Sequence, residues 1–257
     1  MIEVSADHFT LLKKELKDAP TFAYSVLDLM IEGTVYADSD KYHSLLIQTA
    51  SGLYFVTGHS SNKLFLKGIV SIFEKSVILG KRFTIFSNEE TWNQSIEKYL
   101  EGKVRRIERY SFSFDLLTYK NRKRNNLQDY NILKKDNDLI EHSLEFDKKY
   151  FDEYWDTAEN FLQNGIGFCV LEREKIISEG VSIFKSENYA EIDIITDLNY
   201  RGKGLASMVA EQFIDYCISQ NIQPRWDCDV DNGASINLGS QLGFIDPQKY
   251  AVYIIKE

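Results

Sequence analysis

Cysteine is scarce in this chain: Cys169, Cys217 and Cys228 are the three among 257 residues. They show no Cys-x-x-Cys spacing and have no histidine nearby, so neither a disulfide framework nor a zinc site is indicated, and no metal is expected. The four histidines, His8, His43, His59 and His142, are scattered too. No apolar run approaches the length that spans a bilayer. Residues 1–16 mix polar and apolar side chains, without the apolar stretch and small-residue cleavage site of a secretory signal. The expectation is a cytoplasmic protein without membrane association. An excess of positive charge is also missing. With 30 Lys and Arg against 39 Asp and Glu, the formal net charge of -9 disfavours nucleic acid and suits a cationic small molecule.

What is present is material for a core, 44% hydrophobic and 13% aromatic residues over a length that makes one large or two small domains. The stretch Lys120-Asn121-Arg122-Lys123-Arg124-Asn125-Asn126 breaks the pattern. It lacks the interleaved aromatics of a nucleic-acid contact and reads as an exposed basic linker, 120–128, between lobes at 1–119 and 129–257. In the second lobe, a strand is expected at 130–133, helical material at 139–163, and strands at 167–172, 175–184 and 190–197. Leu205, Val209, Phe213 and Cys217 recur every fourth residue, the stripe of a helix packed on a sheet, and Asn221 and Pro224 end that helix. A strand at 225–230, a helix at 233–241 and a strand at 250–255 follow. The first lobe repeats the order, with strands at 34–37, 44–48 and 53–56, a helix at 63–79, a strand at 83–86, a helix at 89–100 and a strand at 104–114. Two related lobes in tandem are expected, although an unrelated α/β domain of similar order gives the same pattern.

The segment Tyr200-Arg201-Gly202-Lys203-Gly204-Leu205-Ala206 lies between the strand at 190–197 and the helix that follows. Glycines at this turn permit positive φ and close approach of the backbone to a ligand. The first helical N–H groups have no internal partner and sit at the positive end of the helix dipole, so a phosphate fits there. Downstream stands Asn232-Gly233-Ala234-Ser235-Ile236-Asn237-Leu238, which ends in Leu242-Gly243-Phe244. Together these two motifs, covering about the last half of the chain, resemble the GCN5-related N-acetyltransferase (GNAT) superfamily. Its acyl-CoA pyrophosphate loop, Arg/Gln-x-x-Gly-x-Gly/Ala, is matched by Arg201, Gly204 and Ala206. The wording around Trp226-Asp227-Cys228 is similar to the bacterial branch that includes the zwittermicin-resistance acetyltransferase.

The resemblance implies an α/β fold of the α+β kind: a mixed, mostly antiparallel twisted sheet flanked by helices, with a degenerate lobe of the same type in front. It implies acetyl-CoA as cofactor. The backbone of Arg201, Gly202, Lys203, Gly204, Leu205 and Ala206 would hold the diphosphate, and that of Ile194, Ile195 and Thr196 would pair with the pantetheine arm and supply the oxyanion donor. Asn232 and Ser235 would lie near the pantetheine, yet Asn232 also reads as the N-cap of the next helix, and Lys203 as a solvated side chain. The corresponding turn of the first lobe, Gly58-His59-Ser60-Ser61-Asn62, lacks the motif and is expected not to bind CoA.

A primary ammonium has a pKa of roughly 10, so acetylation of an amine needs a base. Strand alternation puts Glu191 and Asp193 on one face, and these lead. Asp227 and Asp229 form a second pair, and Glu179 is a third option; all of them also read as carboxylates at solvated strand ends. The family's thiolate-protonating Tyr, which follows Leu238, is replaced here by Gly239. Tyr250, Tyr253, Cys228 or water remain, although Cys228 reads better as a small buried residue. The expected activity is acetyl transfer to an amine of a small molecule such as an antibiotic or polyamine, with walls from the first lobe. The alternatives are a noncatalytic acyl-CoA-binding protein and a tandem aminoacyltransferase that uses aminoacyl-tRNA.

Overall fold

A computed structural model describes residues 1–123 and 130–256. The chain forms two compact units, Met1–Tyr110 with Lys249–Glu257, and Ser111–Gln248. Residues 249–256, counted with the second lobe in the sequence reading, therefore fold with the first unit.

The first unit opens with β1 (Ile2–Glu3), α1 (Phe9–Glu15) and α2 (Thr21–Leu27). The two helices escaped the sequence reading. Helix α2 is buried on every side, so it has no amphipathic stripe to detect. There follow β2 (Gly33–Ala37), β3 (Ser44–Thr49), β4 (Leu53–Gly58), α3 (Lys63–Ile78), β5 (Thr84–Ser87), α4 (Glu90–Tyr99) and β6 (Val104–Phe114). Strands β1 to β4 pair antiparallel in order, and β4 pairs parallel with β5. The core includes Phe65, Ile69 and Phe73 of α3, Trp92 and Ile96 of α4, and Tyr54, Val56 and Ile85 of the sheet.

The second unit begins within β6 and continues through α5 (Leu116–Asn121), β7 (Ile132–Lys134), α6 (Asn137–Glu141), α7 (Lys148–Tyr154) and α8 (Ala158–Asn164). The expected helical material at 139–163 is split because Asp136, Asp147 and Thr157 each accept an N–H of the turn that follows, restarting the helix every ten residues or so. Then come β8 (Gly167–Glu172), β9 (Lys175–Lys185), β10 (Tyr189–Thr196), α9 (Leu205–Ser219), β11 (Gln223–Asp229), α10 (Gly233–Gln241) and β12 (Phe244–Ile255). Strands β7 to β10 are antiparallel in order, and β10 and β11 are parallel. The end of β12 belongs to the first unit, where Ala251 to Ile254 pair with β5. The order strand, strand, strand, helix, strand, helix, strand thus occurs twice, and each sheet is mostly antiparallel with helices against it.

The stripe Leu205, Val209, Phe213 and Cys217 is buried as expected. It lies on β9, where a Cβ at Gly180 would come within 2.9 Å of Val209 Cγ1. The basic stretch is not uniformly exposed. Lys120 and Asn121 end α5, and Arg122 stacks its guanidinium on the Tyr119 ring at 3.4 Å and pairs with Glu211 of α9. Residues 124–129, most of the expected linker, lie outside the described residues.

Among the described residues, no helix is long and apolar enough to cross a membrane, and no cluster of three or more His, Cys, Asp or Glu side chains is arranged to hold a metal ion. The three thiols are buried and unbridged. Burial pushes Cys169 up to about 11 and Cys217 up to about 12.

Candidate active site

The turn into α9 is open. Gly204 occupies the N-cap at φ 83°, a left-handed conformation that costs glycine little, and it has no side chain with which to cap the helix. The first helical bond runs from Met208 N–H to Gly204 O, which leaves Leu205, Ala206 and Ser207 N–H without helical acceptors. Gly202 also has positive φ, and a Cβ there would meet nothing within 4 Å. Lys203 rests its ammonium 4.4 Å from the centre of the Tyr200 ring. Donors of this kind at a helix start suit an anion.

Immediately before the turn, β10 and β11 separate. Their register holds for Tyr189 with Gln223, Ala190 with Pro224 and Glu191 with Arg225, and then ends. From Ile192 to Thr196, β10 keeps its pairing with β9 only. Asp197 N–H donates to Ile177 O on the β9 side. Alternation therefore turns the backbone groups of Ile195 toward β9 and those of Ile194 and Thr196 toward the opening. Two contacts agree with this: Ile194 N–H donates to Asp193 Oδ1 at 2.9 Å, and Arg201 Nε donates to Thr196 O at 3.2 Å. Of the three backbone positions expected to meet a pantetheine arm, Ile194 and Thr196 face the gap and Ile195 does not.

The same register sorts the carboxylates. Ile192, Ile194 and Gly180 share the α9 face, so Glu191 and Asp193 point to the opposite face. Because Glu191 stands beside Arg225, alternation along β11 puts Asp227 and Asp229 on that face as well. The two carboxylate pairs thus line one face of two diverging strands. Helix α7 contributes to this face: Tyr150 O–H donates to Asp193 Oδ2 at 2.9 Å, and the Tyr154 ring lies 4.9 Å from that of Tyr150. Burial, then the charge of Asp193, holds the Tyr150 phenol well above its ordinary range, with Tyr154 and Glu191 adding to the shift, so it remains an O–H donor. Sequence reasoning missed this pair of tyrosines. The signal was the stripe Phe146, Tyr150 and Tyr154 at four-residue spacing, in which two members carry hydroxyls.

Glu179 is not available as a base. It is fully buried, pairs with Lys135 Nζ at 2.6 Å, and accepts from Ser143 Oγ and from Leu144 and Glu145 N–H. It anchors the segment between α6 and α7 to the sheet.

Asn232 is the N-cap of α10, its Oδ1 accepting Ser235 N–H at 3.0 Å. Ser235 Oγ accepts the Trp226 indole N–H at 3.1 Å. Trp226, itself buried, also explains Gly239. A Cβ at position 239 would lie 2.9 Å from Trp226 Nε1, so the indole fills the space that a side chain would need. An indole N–H is a donor that keeps its proton. Tyr250 and Tyr253 belong to the first unit, where the Tyr250 hydroxyl oxygen accepts from Arg109 Nε and Tyr253 O–H donates to Glu97. Cys228 is buried on the Trp226 side of β11.

A parallel pair that parts beside a glycine-lined helix start is the arrangement that the resemblance implied for an acetyltransferase fold. The profile of the GNAT acetyltransferase family matches residues 10–253, and the chain belongs to that family. Over 255 residues it is 39% identical to YdfB of Bacillus subtilis (strain 168), an uncharacterized N-acetyltransferase, covering 98% of this chain and 97% of that protein. The crystal structure of a GCN5-related N-acetyltransferase-like protein from Streptococcus suis 89/1591 superposes with a TM-score of 0.73 at 24% identity, over 98% of this chain and 99% of that one. A tandem GNAT protein from the clavulanic acid biosynthesis pathway does so with a TM-score of 0.63 at 10% identity, over 100% of this chain and 97% of that one. Both likenesses concern the fold.

Proposed function

We propose that this acetyltransferase takes acetyl-CoA as its donor and moves the acetyl group to an amine of a small, cationic molecule. The observation that carries the reading is the divergence of β10 from β11 leading directly into the uncapped start of α9, with Glu191, Asp193, Asp227 and Asp229 on one face of the opening. The N–H groups of Leu205, Ala206 and Ser207 would hold the diphosphate, aided by Arg201 and Gly202. Ile194 and Thr196 would offer their backbone groups to the pantetheine arm. When bound, acetyl-CoA supplies the thioester acetyl group and departs as a thiol.

The chain's own part is to orient the acceptor and move its proton. A carboxylate on the acidic face attracts the ammonium and takes its proton, leaving a neutral amine. Ile194 N–H is the donor to the carbonyl oxygen as negative charge grows there. Since Trp226 fills the slot beside Gly239, water is the acid for the departing thiolate. With a thiol pKa of about 8.5 that step needs little assistance. The acidic face also fits the proposal, drawn from the likeness to the zwittermicin-resistance branch, that the acceptor is an antibiotic or polyamine. The first lobe takes no CoA in this reading.

Gly239 favours a second reading, a binding protein whose chemistry has lapsed. Calorimetry with acetyl-CoA, followed by a free-thiol assay over a panel of polyamines, aminoglycosides and simple alkylamines, decides. Saturable binding and thiol release with a cationic amine are expected. Binding without release from any amine leaves the noncatalytic protein, and no binding removes both readings.

A further inference from the structure

The open edge of β10 is covered at two points by the chain's own side chains. Asp193 links two elements of the site: its Oδ1 accepts the N–H of Ile194, the edge donor on β10, while its Oδ2 is held by the Tyr150 hydroxyl from α7. At the other end, Arg201 donates to Thr196 O. An arm that pairs with this edge must first displace these contacts, and the amide of Ile194 cannot serve Asp193 and an acyl oxygen together. We propose that Tyr150 is a positioning residue that holds Asp193 across the Ile194 amide in the free enzyme, so that entry of the acyl-carrying arm uncovers the oxyanion donor and frees a carboxylate oxygen in the same movement. The inference rests on the assignment of the β10 edge to the cofactor arm.

The design is a simple exchange of hydrogen bonds. In the free state, Ile194 N–H and one Asp193 oxygen satisfy each other, which avoids an orphaned donor at a half-buried edge. In the loaded state, the amide is taken by the acyl group, and the released oxygen turns to the incoming ammonium. Tyr150 keeps the other oxygen throughout, so the carboxylate pivots rather than swings away. This gives Asp193 a function even if Glu191 or Asp227 takes the proton.

The experiment uses the full-length protein and two probes, acetyl-CoA and the uncharged S-acetylpantetheine, whose affinity does not respond simply to the removal of a negative charge. Asp193→Ala should bind S-acetylpantetheine about threefold to tenfold more tightly than wild type, because no internal hydrogen bond has to be broken. Asp193→Asn retains an oxygen for the Ile194 amide and should stay near the wild-type affinity. Tyr150→Phe should tighten binding to a lesser degree and lower kcat while leaving KM for the amine little changed. Independently of any cofactor, the Ile194 amide should exchange with solvent faster in Asp193→Ala than in Asp193→Asn. Unchanged or weaker S-acetylpantetheine binding by Asp193→Ala, with normal binding by wild type, overturns the inference alone. Failure of wild type to bind acetyl-CoA overturns the cofactor reading and this one with it.

Discussion

At residues 58–62 and 200–204 a strand gives way to a helix, and in both units that strand runs parallel to the next over three residue pairs before the two part. In the first unit side chains fill the turn. Asn62 accepts Leu64 and Phe65 N–H, Glu89 accepts Gly58 N–H and Thr57 O–H, and the buried Trp92 donates to Gly58 O. A Cβ at Gly58 would lie 2.1 Å from His43 O. In the second unit the helix is uncapped and the space over Gly202 is empty. The same strand-to-helix order therefore does not by itself make the CoA site proposed for the second unit; under that proposal, what makes one is the withholding of side chains that would otherwise satisfy the turn.

The sharpest break between the two turns is chemical. At the last paired position the first unit carries Phe55 and the second Glu191; two residues on stand Thr57 and Asp193. If the acidic face supplies the base, one of Glu191→Gln, Asp193→Asn and Asp227→Asn should lower kcat by about 10²–10⁴, with acetyl-CoA affinity within about twofold of wild type. Steady-state kinetics on the best amine of the panel measures this. Undiminished turnover in all three variants would mean that the carboxylates are no more functional than Phe55 and Thr57.

The sheets differ next in what they bury. Strand β3 presents Leu45, Leu46 and Ile47 to its surroundings, whereas the corresponding β9 buries Glu179 against Lys135, both side chains fully enclosed. Lys135→Met leaves a buried carboxylate without its cation and should destabilise the second unit by about 3–5 kcal/mol, read from urea unfolding. Lys135→Met with Glu179→Met removes the unpaired charge and should recover part of that loss, the remainder reflecting the Leu144 and Glu145 N–H groups that lose their acceptor. If the single variant were as stable as wild type, the ion pair would not be what ties the segment between α6 and α7 to the sheet.

The two turns can also be made alike. Gly204→Asp would place at the start of α9 the kind of acceptor that Asn62 provides at the start of α3, and a negative charge where a diphosphate is proposed. Acetyl-CoA affinity should fall about 100-fold or more, since charge-assisted hydrogen bonds and the helix dipole both turn against the ligand. Calorimetry checks this, and an unchanged affinity would remove the diphosphate from this corner.

Much of this was legible beforehand because it is local. The strands and long helices follow from periodicity, and the loop from Arg201, Gly204 and Ala206 standing between a strand and a helix. What was illegible depends on contacts between distant residues. Glu179 looks like any strand carboxylate until Lys135, 44 residues earlier, is found beside it. The loss of the family's Tyr at Gly239 reads as a missing acid, while its physical counterpart, the Trp226 indole, lies thirteen residues upstream on another element. Strand β12 was recognisable, yet its pairing with β5 joins residues that are far apart in sequence, and no local pattern encodes it. Asn232 read equally as cap and as ligand; the capping bond is present, and its amide nitrogen is what the proposed cofactor contact would use.

The smallest effect tests the first unit from its own side. Asn62→Ala removes the side chain that satisfies the first turn of α3 and so imitates the open start of α9. It should cost the first unit about 1 kcal/mol, the ordinary value of an N-cap, seen as a lower unfolding midpoint. It should not create a second cofactor site. Glu89 still covers Gly58 N–H, Trp92 still holds Gly58 O, and His43 O still closes the approach, so the freed amides of Leu64 and Phe65 face a turn with no room for a diphosphate. Titration of the variant should therefore saturate at the same equivalence point as wild type. A second equivalent of acetyl-CoA taken up by Asn62→Ala would show that a single cap, and not the filled turn as a whole, separates the two units.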